Sequence, residues 1–92
     1  MSVERRKILF SGRVQGVGFR MTAVELAGGL QLAGTVRNLV DNTVELIAEG
    51  EAEEIDHLVN RLREHFGSFI RTIDQTRMTP IGNLAPGIRI TY

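Results

Sequence analysis

Three glycines, an arginine and an asparagine are the residues of this chain best placed to do chemistry together. Gly12, Gly16 and Gly18 lie within "SGRVQGVGFR", residues 11–20, which ends on Arg20. Asn38 lies within "GTVRNLVDNTVE", residues 34–45. A lone glycine between a strand and a helix serves only to make a tight turn. Three of them, with Val14 and Val17 interleaved, can turn successive backbone N–H groups inward as a nest for an anion at the start of a helix. Arg20 falls in the first turn of that helix, where a cation opposes the positive end of the macrodipole at a cost of about 0.3–1 kcal/mol. A helix chosen for stability alone would place Asp or Glu there. A guanidinium that closes over an anion already held by the loop accounts for that cost, and its planar fork suits phosphate oxygens. The alternative is an Arg20 that bends into solvent or pairs with Glu25. Asn38 sits in a strand, where asparagine is disfavoured, on the face shared with Val36 and Val40. It is either an edge amide bonded to water by chance or an amide whose donor and acceptor fix a reacting water.

Other chemistries fit less well. A Walker phosphate loop needs Gly-Lys-Ser/Thr at its end, whereas Gly18 is followed by Phe19-Arg20, and a dinucleotide fingerprint would need glycine at Met21. There is no cysteine, which removes thiolate nucleophiles, disulfides and Cys-bound zinc. His57 and His65 stand among Glu, Asp and Arg and read as solvated surface, with no third ligand near in sequence. The run Glu49, Glu51, Glu53, Glu54 straddles a helix start, where negative charge is favourable, and lacks the spacing of a calcium loop. Arg61, Arg63 and Arg71 read as solvated charges, and Met21 and Met78 as fillers of core gaps.

The elements that must position the loop and Asn38 follow from periodicity. Residues 7–13 read as a strand with Ile8, Phe10 and Gly12 on one face. From Phe19 to Leu30 the apolar positions recur at helical spacing, with Gly28-Gly29 at the fraying end. Strands follow at 33–40 and from Val44, joined across Asp41-Asn42, where Asn tolerates the left-handed conformation a tight hairpin demands. Ile55, Leu58, Val59, Leu62 and Phe66 mark an amphipathic helix that Gly67 ends. Residues 70–78 form a weaker strand, Pro80 and Pro86 bracket a loop, and Ile88, Ile90 and Tyr92 alternate as a last strand. Strand, helix, strand, strand, helix, strand predicts an α+β, ferredoxin-like split βαβ sandwich. Its antiparallel sheet carries both helices on one face, and a short C-terminal strand is appended.

At 92 residues the chain is expected to be a single domain, residues 1–92. Eleven basic residues balance eleven acidic ones, so no overall field draws it to nucleic acid or membrane, and an anion must be bound locally. The apolar stretch Ile8-Leu9-Phe10 is too short for a signal-peptide core or a membrane span, and a cytoplasmic monomer is the expectation.

"GRVQGVGFR" followed by "GTVRN", then Asp41 and "VE", resembles the acylphosphatase family, and the similarity covers nearly the whole chain in the same element order. The resemblance implies an enzyme that hydrolyses acyl phosphates without metal or other cofactor. By it, the backbone amides of Gln15, Gly16, Val17, Gly18, Phe19 and Arg20 and the Arg20 guanidinium bind phosphate, and Asn38 orients the attacking water. This chain has Asn42 where the family's hairpin has glycine, and Thr35 where an aromatic is frequent. A non-catalytic anion-binding regulatory module on the same fold is the competing expectation. RNA binding on the sheet face ranks third, because it needs exposed aromatics and a basic surface.

Overall fold

Alternation along the first strand decides which way the sheet faces. In β1 (Val3–Gly12), Ile8 and Phe10 are fully buried, whereas Lys7 and Leu9 are half-buried on the other face. The computed structural model describes residues 2–92. After β1 come α1 (Phe19–Leu26), β2 (Ala33–Asn38), β3 (Val44–Glu51), α2 (Ala52–Phe66), a 3₁₀ turn (Gly67–Phe69), β4 (Ile70–Met78) and β5 (Gly87–Ile90).

The five strands form one sheet in the order β4-β1-β3-β2-β5. β1 pairs antiparallel with β3 and β4, and β2 antiparallel with β3. The appended β5 runs parallel to β2, with Val36 opposite Ile90, so the sheet is mixed where an antiparallel one was expected. Opposite residues share a face, and the row Ile8–Leu46–Val36 lies on the face that both helices cover. Phe19, Ala23 and Ala27 from the first helical segment and Ile55, Leu58, Leu62 and Phe66 from α2 complete the core. Phe19 lies between Phe10 and Phe66, with ring centroids 4.9 and 4.6 Å away, so the end of the glycine loop is pinned into the core.

Several boundaries differ from those the periodicity predicts: β1 already begins at Val3 and β5 ends at Ile90, before Tyr92. α1 stops at Leu26, four residues short of Leu30. The glycine pair cannot hold the helix, and the Arg61 guanidinium, exposed as expected, donates to the Leu26 carbonyl at 2.9 Å. β2 ends at Asn38 because the chain turns at once: Leu39 N donates to Thr43 O (2.9 Å) and Asn42 N to Leu39 O (3.2 Å). Asn42 takes φ 71°, the left-handed conformation expected of it, while Val40 is fully exposed in the turn and does not share the face of Val36. Glu45 and Glu49 of β3 are buried, so Glu49 does not serve as an exposed charge at the helix start. Arg37 donates to Glu45, and Glu49 accepts the backbone N–H groups of Ile81 and Gly82 together with Arg5.

Candidate active site

Everything the loop presents depends on two glycines. Gly16 and Gly18 both adopt φ +77°, a conformation that costs an L-residue about 1–2 kcal/mol. Gly18 is the N-cap of α1 and, having no side chain, caps nothing; the first turn holds no acidic residue either. The first amide bonded back along the helix is that of Thr22, to Gly18 O at 3.0 Å. The first turn of a helix carries amides without intrahelical acceptors, so those of Phe19, Arg20 and Met21 point outward as donors at the positive end of the dipole.

Asn38 reaches the same place from the sheet. It stands opposite Val44, which stands opposite Phe10, so it occupies the helix-covered face at the margin of the core. There it is half-buried, not sealed, and opens on a pocket of about 250 Å³ lined also by Val14, Gly16, Gly18, Phe19 and Arg20. The structure thus brings together Arg20, Asn38 and three of the loop residues predicted from sequence. The side chains of the other two turn away: Val17 packs against the core, and Gln15 donates through Nε2 to the Leu39 and Thr43 carbonyls at 2.8 and 2.9 Å. Among the described residues no carboxylate pairs with Arg20, Glu25 included, so its charge is free for an anion in the pocket.

Three wall residues escape sequence reasoning. Tyr92 places its ring 5.2 Å from Arg20 Cζ, an attraction between cation and ring face that holds the guanidinium over the pocket. Ile90 lines the same wall, brought there by the parallel register of β5 on β2. Met21, expected in the core, is mostly exposed at the pocket's edge, because the first-turn residue after Arg20 faces outward. Only the alternation of Ile88, Ile90 and Tyr92 hinted at a C-terminal strand; nothing local tells which strand it joins. His57 and His65 are both exposed on α2, far in sequence from either motif. Among the described residues no group of three or more His, Asp or Glu side chains converges as metal ligands would.

Comparison with known proteins shows the family to which this fold belongs. The family model described as Acylphosphatase matches residues 6–85. An acylphosphatase of Clostridium acetobutylicum is 44% identical over 91 residues, covering 98% of this chain and 99% of that protein. One from Methylococcus capsulatus is 51% identical over 57 residues; that alignment covers 62% of each protein, less than two thirds of the relative's length. The crystal structure of acylphosphatase from Bacillus subtilis superposes with a TM-score of 0.85 at 30% identity, covering 99% of this chain and 100% of that one. With its mixed sheet, two helices and glycine loop, the chain belongs to the acylphosphatase family, hydrolases that act on acyl phosphates.

Proposed function

We propose that the pocket binds the phosphate of an acyl phosphate through the backbone amides of residues 15–20 and the Arg20 guanidinium, and that Asn38 orients the water that attacks it. The observation that carries this reading is the convergence of Arg20 and Asn38, one from a helix and one from a strand, on a single pocket floored by the glycine loop. Water oxygen forms a bond to phosphorus, the bond from phosphorus to the acyl oxygen breaks, and the electron pair leaves on a carboxylate. That leaving group is already a weak base at neutral pH, so no strong general acid is required. Positioning and compensation of charge on the equatorial oxygens do most of the work. The water's proton passes to a phosphate oxygen, in keeping with a pocket lined by neither histidine nor carboxylate.

The same reading takes residues 1–92 as one catalytic domain, acting as a cytoplasmic monomer on a small molecule and needing no metal. Among the described residues no helix is long and apolar enough to cross a membrane. A pocket of this size grips mainly the phosphate, so a broad range of acyl groups is expected. Release of phosphate from a simple aryl acyl phosphate, measured with and without a chelator, tests the reading. Equal, rapid hydrolysis in both is expected. A folded native chain without turnover would leave only the anion-binding module.

A further inference from the structure

The anion loop and the hairpin that carries Asn38 come from separate parts of the chain, and Gln15 joins them. Its Nε2 donates both hydrogens, to Leu39 O at 2.8 Å and to Thr43 O at 2.9 Å. Neither carbonyl needs it. Leu39 O already accepts Asn42 N–H, and Thr43 O already accepts Leu39 N–H, so the hairpin closes by its own backbone. Turn formation therefore does not explain the glutamine. The loop is anchored elsewhere, at one end by Arg13 N donating to Phe69 O (2.7 Å) and at the other by Phe19 in the core. Gln15 supplies the tie between these anchors, to the two residues that flank the turn, one of them the immediate neighbour of Asn38.

We propose that the Gln15 side chain is a positioning residue: it sets the separation between the phosphate-holding loop and the Asn38 amide, so that the water aimed by Asn38 lies in line with the leaving carboxylate. This rests on the roles proposed above for Arg20 and Asn38. Phosphate is gripped by loop amides and Arg20, and the hairpin takes no part in that grip. Loss of the tie therefore misaligns water against phosphate while leaving phosphate affinity in place. An error of about 1 Å in such an alignment costs on the order of 100-fold in rate.

The test uses the full chain with Gln15→Met, which keeps length and volume but has no N–H, and Gln15→Ala, each alone and combined with Asn38→Ala. Turnover of an aryl acyl phosphate, inhibition by inorganic phosphate and the thermal midpoint are read together. In the single variants kcat is expected to fall about 10- to 100-fold. Phosphate inhibition stays within about twofold, and on the Asn38→Ala background the same changes cost nothing further, because the two residues act as one unit. A glutamine that merely supported the fold would lower the midpoint and cut activity equally on both backgrounds. Native kcat in Gln15→Met, full additivity with Asn38→Ala, or a phosphate inhibition constant that weakens in step with kcat would each overturn the proposal. Should Gln15→Ala fail to fold, Gln15→Met decides. Failure of the functional reading looks different: the native chain itself would lack turnover, and the inference would fall with it.

Discussion

Gly18 and Arg20 each oppose what helix stability alone would choose, and they do so two residues apart. A capping side chain at Gly18 would occupy the amides of the first turn, and its φ of +77° would strain any L-residue. A Cβ there meets no atom within 4 Å, so Gly18→Ala isolates backbone strain from steric clash. The variant should lose about 1 kcal/mol in urea denaturation and bind inorganic phosphate more weakly; native affinity would show that the loop does not need this backbone. The glycine spacing and the misplaced cation were readable in sequence because their costs are local ones. Tyr92 over Arg20 was not, since the contact depends on β5 adding in parallel to β2 at the far edge of the sheet. Gln15 was read only as a backbone amide, because nothing within the loop indicates which carbonyls its side chain will find.

At the scale of elements, close approaches between strands decide what can change. A Cβ at Gly34 would lie 1.7 Å from the Ile47 carbonyl oxygen, so Gly34→Ala must push β2 off β3. A loss of about 3 kcal/mol or more is expected in denaturation, with Asn38 displaced along with its strand. Glu49 does comparable work on the opposite face, where it clamps the 79–86 strap that leads into β5. The amides of Ile81 and Gly82, and secondarily Arg5, hold its carboxyl below the ordinary carboxylate range. A folded-state pKa depressed in this way adds stability above the unfolded value of about 4.3, and that stability disappears as pH falls through the folded pKa. Asp41, lowered chiefly by the Thr43 hydroxyl, acts in the same direction. Urea midpoints of the native chain should therefore fall below about pH 4.5. Glu49→Gln should flatten part of that fall, and an unchanged slope would show the strap is not held by this charge. Taking Glu49 as part of an acidic run at a helix start missed the clamp, because the loop that covers it arrives from about thirty residues away.

For the whole molecule, the cluster of Phe10, Phe19 and Phe66 links β1, the loop end and α2. Phe19 is 2% exposed, and its truncation to alanine should cost about 3–5 kcal/mol. Domains of this size hold only about 5–15 kcal/mol in total, so a fall in the thermal midpoint of about 15 °C or more follows. A smaller shift would mean that the rings repack. The split βαβ order was readable because two amphipathic periods and a hairpin signal are properties of short stretches. Sheet order and the parallel edge were not, because they are settled by packing of the whole chain. The proposed roles form a division of labour, in which loop and Arg20 hold phosphate and Asn38 aims water. The most direct measurement is of turnover and phosphate inhibition in Arg20→Ala and Asn38→Ala, side by side with the native chain. Arg20→Ala should lose both, whereas Asn38→Ala should lose turnover by about 100-fold or more and keep its phosphate affinity. Native turnover in Asn38→Ala, or native phosphate inhibition in Arg20→Ala, would contradict it.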